Sequence, residues 1–254
     1  MMKFCVLASG SKGNCTYIET ENYRVLIDMG TSASQIEKKL REIDVSPKTI
    51  DAIFITHAHT DHVSGLEVFC KKNKVTVYMT EKMKVEGKVK VEQIANIKGP
   101  ITLGSLVITP LKLSHDVTDA NGYIFEESNS SIVYITDTGY IHERYHEMLT
   151  NRNIYIFESN HDVEKLMTNP KYPYPLKNRI LSDKGHLSNK DSATYLCKFI
   201  GKETKAVVLA HLSEENNTPD LAISALKEKL KEYKINFSNI STASQHERGD
   251  MVEV

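Results

Sequence analysis

Hydrophobic positions along the chain fall into short runs rich in β-branched and aromatic residues, at 4–8, 17–18, 24–28, 52–56, 75–79, 106–108, 122–126, 132–136, 154–157 and 206–210. Runs of this length and composition predict strands. Ser9-Gly10-Ser11-Lys12-Gly13-Asn14 separates the first two, and its Gly and Asn residues permit left-handed backbone angles, so a tight turn is predicted there. Ser128-Asn129-Ser130 supplies a second turn. Elsewhere the period lengthens: Ile36, Leu40 and Ile43 share a helical face behind a Ser32/Gln35 capping box, which predicts a helix over 32–43. Residues 63–72, 188–200 and 218–233 also read as helices, with Thr218 a fitting N-cap and Pro219 a fitting first helical residue. Strands in two groups, each followed by helices, predict an α/β chain of two sheets packed face to face with helices outside. No repeat or low-complexity linker divides residues 1–254, so a single domain is expected.

Composition narrows the class. A chain of 254 residues with 40% hydrophobic and 26% charged residues buries a full core and reads as a globular enzyme, not a disordered chain. A formal net charge of -1 weighs against coating nucleic acid through bulk charge and leaves a local basic groove open. The first apolar stretch is too short for a signal-peptide core and is broken by Gly10, and no later run reaches transmembrane length, so a cytoplasmic protein without membrane attachment is expected. Cys5, Cys15, Cys70 and Cys197 show no paired spacing, which suits buried free thiols in a reducing compartment.

The candidate chemistry lies where strands end. Thr56-His57-Ala58-His59-Thr60-Asp61-His62 packs three imidazoles and a carboxylate behind an apolar run, at a predicted strand-to-helix junction. Neutral His nitrogens and carboxylates suit borderline and harder divalent ions, and one short loop brings them together with little closure entropy. His115 follows the apolar run 111–113, Asp137 closes 132–136 and His211 closes 206–210. Taken singly, each reads as a cap or a surface residue; with the loop they complete a set. His142, His146 and His246 have no partner pattern and are assigned to the surface.

The HxHxDH segment, followed by His115, Thr136-Asp137-Thr138-Gly139 and His211, resembles the metallo-β-lactamase superfamily. That resemblance implies an αβ/βα four-layer sandwich binding two divalent metal ions per chain, Zn or Mn with Fe also possible. His57, His59 and His115 would hold one ion, Asp61, His62 and His211 the other, and Asp137 would bridge them, with Asp61 counted as catalytic as well. Two such ions, roughly 3.5–4 Å apart, polarise a bridging water and bring its pKa to about 7, so that hydroxide is available for hydrolysis.

The superfamily acts on β-lactams, thioesters, lactones and phosphodiesters, so substrate class rests on other residues. A secreted β-lactamase needs an export signal. His115-Asp116-Val117 lacks the Thr-Pro-Gly-His run of glyoxalase-like thioesterases, and His59 stands where di-iron oxygen-reducing members carry Glu. Phe157-Glu158-Ser159-Asn160-His161 and Lys184-Gly185-His186-Leu187-Ser188 resemble segments of the phosphodiesterase branch, which includes tRNA 3′-processing nucleases. By that resemblance Glu158 orients His186, and His186 stabilises or protonates the departing oxygen. Ser188 with Asp191 also reads simply as a helix start that His186 precedes. Residues 7–15, 184–189 and 210–217 are similar to the YycJ/WalJ group, whose members are regarded as 5′-to-3′ DNA exonucleases.

The stretch 165–190 adds a feature of its own: Lys165, Lys171, Lys177, Arg179, Lys184 and Lys190 against the single acid Asp183, interleaved with Tyr172 and Tyr174. Cations meet phosphates and tyrosines stack on the bases of a frayed end, although Pro170, Pro173 and Pro175 fit an extended solvated loop equally well. Substrate contacts are expected from Lys171, Tyr172 and Lys184, from Ser11 and Asn14 of the glycine-rich turn, and from Asn160, with His161 at the cleft border. The expected partner is DNA, as ends or single strands. Two other functions fit the same residues: a phosphodiesterase for small cyclic or nucleotide phosphates, and a metal-binding regulatory protein of this fold with little turnover.

Overall fold

The computed structural model describes residues 2–254, and these form two compact units, each drawn from separate segments of the chain. The first holds residues up to 112 with 117–130 and 244–254. Numbered in chain order, its strands are β1 (Lys3–Ala8), β2 (Cys15–Glu19), β3 (Arg24–Ile27), β4 (Ala52–Phe54), β5 (Thr76–Met79), β6 (Ile94–Asn96), β7 (Ile101–Leu103), β8 (Leu106–Lys112) and β9 (Asn121–Glu127), with β14 (Val252–Glu253) near the C-terminus. One sheet runs β14-β1-β2-β3-β4-β5-β6, antiparallel through β3 and parallel from β3 to β6. Parallel neighbours need crossovers. These are α1 (Ala33–Arg41), the pair α2 (Thr60–Val63) and α3 (Leu66–Asn73), and α4 (Glu81–Glu86). Strands β7, β8 and β9 pair antiparallel in sequence.

Ser32 caps α1 through the expected box with Gln35, and Ile36 and Leu40 pack into a core with Leu26, Ile53, Phe69 and Val77. The helix predicted over 63–72 is α3 and starts only at Leu66, with the short α2 before it, because Gly65 passes against the loop at 29–33. Its N–H donates to Met29 O at 2.8 Å, and a Cβ there would lie 2.1 Å from Thr31 O.

The second unit, residues 113–116 and 131–243, holds four parallel strands: β10 (Ser130–Ile135), β11 (Ile154–Glu158), β12 (Ala206–Ala210) and β13 (Ile240–Thr242). β11 and β12 are buried at every position, which explains their near-continuous apolar sequence. The crossovers carry α5 (His146–Leu149), α6 (Val163–Thr168), α7 (Tyr174–Leu181), α8 (Asn189–Phe199) and α9 (Pro219–Glu232). Ser188 and Thr218 cap α8 and α9 by accepting from Asp191 N and Leu221 N. The proline-bearing stretch is not an extended loop: Pro173 is the N-cap of α7 and Pro175 sits in its first turn, where a missing N–H costs nothing.

All four cysteines are buried and free. Burial pushes the thiols of Cys5 and Cys197 up to about 11 and that of Cys70 up to about 12, so they stay protonated and inert. No helix among the described residues is long and apolar enough to cross a membrane.

Candidate metal centre

In the first unit the histidine loop leaves β4 and enters α2, and its geometry is set by a residue outside it. Asp28 follows β3 in a left-handed conformation (φ 61°) and is fully buried. Its carboxylate accepts from Thr56 N and Thr56 Oγ1, both at 2.8 Å, and from His62 Nδ1 at 2.7 Å. With the proton held on Nδ1, Nε2 of His62 presents its lone pair. It lies 3.5 Å from Asp61 Oδ2 and accepts from Asn14 Nδ2 at 3.0 Å. His57 Nδ1 donates to Thr56 Oγ1 at 3.1 Å, which likewise turns Nε2 outward, and that nitrogen faces His59 Nδ1 at 3.1 Å. This is the arrangement in which a carboxylate or hydroxyl behind each imidazole fixes tautomer and orientation for a metal in front.

Gly30 permits the close packing underneath. Its N–H donates to Asn14 O and Asn14 N donates to Asp61 O, each at 2.8 Å, while a Cβ on Gly30 would fall 1.6 Å from Asp61 O. Asn14 is therefore fully buried and braces the ligand loop, whereas Ser11 at the tip of the glycine-rich turn is exposed. In the sequence Asp28 carries a single signal, an acid closing an apolar run, the same signal that marks Asp137.

The second unit gathers its groups around Glu158, at the end of β11 and fully buried. Its carboxylate accepts from the backbone of Asp137 at 3.1 Å, and from Thr138 and Leu187 at 3.0 Å each. It also accepts from His186 Nδ1 at 2.8 Å and His211 Nδ1 at 3.0 Å. Burial alone would raise its pKa, but His186 beside it and the hydrogen bonds from both rings pull the group down to about 2. Glu158 is thus a permanent anion that turns Nε2 of two histidines outward.

Asp137 and His211 close β10 and β12 in left-handed conformations, φ 58° and 56°. Such conformations are uncommon for residues with a Cβ and concentrate at functional sites. Asp137 Oδ1 lies 3.4 Å from His211 Nδ1, 3.7 Å from His186 Nδ1 and 3.9 Å from His115 Nε2. His115 donates Nδ1–H to Gly185 O at 3.2 Å, and burial lowers its pKa, which favours the neutral ring a metal requires. Asp137, Glu158, His186 and His211 each offer a ligand atom within 4.8 Å of the others. Oriented imidazole lone pairs with buried carboxylates are a donor set that fits divalent Zn, Mn or Fe in both units.

The expected substrate contacts fare differently. Asn160 is buried and its Nδ2 donates to His211 O at 2.9 Å. Lys171 is exposed and pairs with Glu215 at 2.8 Å; Arg179 pairs with Asp116, next to His115. Lys177 is buried and donates to Met167 O at 2.6 Å. Tyr172 is half-buried, and Tyr174 and Lys184 are exposed. Of the histidines assigned to the surface, His142 and His246 are exposed, while His146 is half-buried against the Tyr195 and Phe199 rings.

Two expected outcomes follow from this geometry. Asp28→Asn keeps a residue tolerant of the left-handed backbone and removes the charge behind His62, so metal affinity drops about 10- to 100-fold, read by chelator competition. His161 is 1% exposed and burial pushes its pKa down to about 4. The unfolded chain binds this proton below the ordinary value of 6.5 and the folded one does not, so stability falls as pH drops from 6.5 to 4. The loss amounts to about 3 kcal/mol from this group. Urea melts at both pH values check it: His161→Leu shows a correspondingly shallower pH dependence than wild type.

Residues 23–212 match the β-lactamase superfamily domain. The exodeoxyribonuclease WalJ of Streptococcus pneumoniae is 39% identical over 237 residues, which cover 90% of this chain and 88% of that one. The exodeoxyribonuclease YycJ of Bacillus anthracis is 36% identical over 91% of this chain and 90% of its own. Among solved structures, the metallo-β-lactamase-fold protein YhfI of Bacillus subtilis superposes with a TM-score of 0.73 at 17% identity, covering 100% of both chains.

Proposed function

The chain belongs to the β-lactamase superfamily and has the metallo-β-lactamase fold, and on that premise we propose that it is a metal-dependent phosphodiester hydrolase that trims DNA from its ends, with 5′-to-3′ polarity. The observation that carries the reading is the cluster in which Glu158 holds His186, a histidine outside the proposed ligand set, beside Asp137 and His211. The identity with two exodeoxyribonucleases over nine-tenths of the chain supports DNA as the substrate. We infer a single hydrolase domain over 1–254, and the proposed ligands are His57, His59 and His115 for one ion, Asp61, His62 and His211 for the other, and Asp137 for both. Zn and Mn are the proposed ions, and the cytoplasm, where buried thiols stay reduced, the proposed location.

Two divalent ions, when bound, activate water and neutralise charge on a phosphodiester. The chain's own residues do the rest. Asp28, Thr56 and Glu158 hold imidazoles in one tautomer. His186 donates through Nδ1 to Glu158, which turns Nε2 outward, and a proton carried on that nitrogen would pass to the departing oxygen. Lys184, Tyr174 and Ser11, all exposed, are the proposed contacts to the strand. Lys171, committed to Glu215, contributes only after that pair opens.

The experiment is a substrate panel: protein with Mn or Zn is given linear DNA with 5′-phosphate or 5′-hydroxyl ends, RNA, cyclic nucleotides and a chromogenic phosphodiester. DNA degraded from the 5′ end supports the reading. Turnover of cyclic nucleotides with intact DNA replaces it with a small-molecule phosphodiesterase, and no turnover of any substrate replaces it with a regulatory metal-binding protein.

A further inference from the structure

We propose that the buried amide pair Asn189–Asn217 is a positioning device that sets the register of the three loops presenting Glu158, His186 and His211; the proposal rests on the metal-dependent reading above. The two side chains bond reciprocally: Asn189 Nδ2 donates to Asn217 Oδ1, and Asn217 Nδ2 to Asn189 Oδ1, each at 2.9 Å. Both residues are 3% exposed.

From this pair, hydrogen bonds reach each loop. Asn217 Nδ2 also donates to Ser159 O at 2.8 Å and Asn160 O at 3.0 Å, directly after Glu158. Ser159 Oγ donates to Asn189 Oδ1 at 2.7 Å, and Asn189 N donates to His161 O at 2.9 Å. Asn160 continues the chain of contacts: its N–H donates to Leu187 O, beside His186, and its Nδ2 to the carbonyl of His211. Asn160 O in turn accepts from Ser213 N at 2.8 Å. Asn189 opens α8 and Asn217 precedes the cap of α9, so the pair also ties these loops to two helix N-termini.

An amide is the side chain that offers donor and acceptor at fixed separation, so two facing amides lock only in one register. An apolar pair of similar volume would fill the space at lower desolvation cost and fix no direction. The left-handed His211 needs such over-determination, since its backbone favours relaxing and its ring must keep Nδ1 on Glu158. Neither asparagine touches the groups it aligns; both act through backbone.

The test uses Zn and Mn affinity of the full chain, by competition with a chromogenic chelator, together with melting of the metal-free protein. Asn217→Ala weakens metal binding about 10- to 100-fold, as loss of groups behind a ligand does. Asn169→Ala is the matched control. It removes another buried amide contact, Asn169 Nδ2 to Asn216 Oδ1 at 2.7 Å, and lowers the melting temperature while leaving metal affinity as in wild type. If Asn217→Ala does not fold, Asn217→Ser and Asn189→Ser face the same comparison. Equal metal affinity in wild type and the folded Asn217 variant overturns the proposal alone, as does an equal loss in Asn169→Ala. Wild type that binds neither metal overturns it together with the reading beneath it, whereas intact DNA with normal metal binding touches only the substrate.

Discussion

Asp137→Asn leaves a folded protein that binds less metal and degrades DNA at background level. The residue closes β10 with φ 58°, a conformation asparagine tolerates well, so the backbone survives and its N–H stays on Glu158. What disappears is the negative charge of a carboxylate that is 2% exposed and whose Oδ1 lies within 3.9 Å of ring nitrogens on His115, His186 and His211. Under the proposed function this carboxylate addresses both ions, so no other group compensates. The expected loss is at least about 10³-fold in turnover, the upper scale for removing one electrostatic stabiliser. Metal content after dialysis and DNA degradation, measured on the same preparation, check it. Full metal occupancy in Asp137→Asn contradicts the assignment.

His186→Ala divides the same cluster the other way. It keeps the metals and loses rate, by about 10²- to 10⁴-fold, the range for removing a general acid. His186 stands 20% exposed at its side chain, while Glu158 behind it is completely buried and stays anionic down to a pH of about 2. The anion fixed at Nδ1 holds the ring in place and turns Nε2 outward, the orientation a proton donor to the departing oxygen needs. Glu158→Gln weakens both functions, because His186 and His211 share the Oε1 acceptor. Equal metal loss in His186→Ala and Asp137→Asn would remove the distinction between acid and ligand.

The strand ends were legible because two signals coincide there: an apolar run that must be buried and a ligand-type residue that terminates it. His57, Asp137, Glu158 and His211 all stand at the ends of strands that the hydrophobic pattern marks, and His62 follows within α2. Asp28 has the same signature at the end of β3 but no histidine neighbour in sequence; its partner, His62, is 34 residues away. Asn189 and Asn217 were illegible for a related reason. Isolated asparagines beside helix starts read as caps, and only the fold brings them into reciprocal contact. The basic stretch shows a different limit. Its charges suggest a phosphate-facing surface, and the fold gives Lys171, Lys177 and Arg179 the partners Glu215, Met167 O and Asp116 while leaving Lys184 exposed. Composition counts charges and says nothing of internal partners. Short elements such as α4, β6 and α7 lack the length for periodicity to emerge.

The most direct measurement follows end-labelled linear DNA with protein stripped of metal by chelation, to which Mn or Zn is added back stepwise. The stripped protein is expected to leave the DNA intact. Release of mononucleotides from the 5′ end then rises with added ion and saturates at two equivalents per chain, and Asp137→Asn shows no such rise. Degradation that persists in excess chelator, or intact DNA at full occupancy with either ion, would contradict the proposed function.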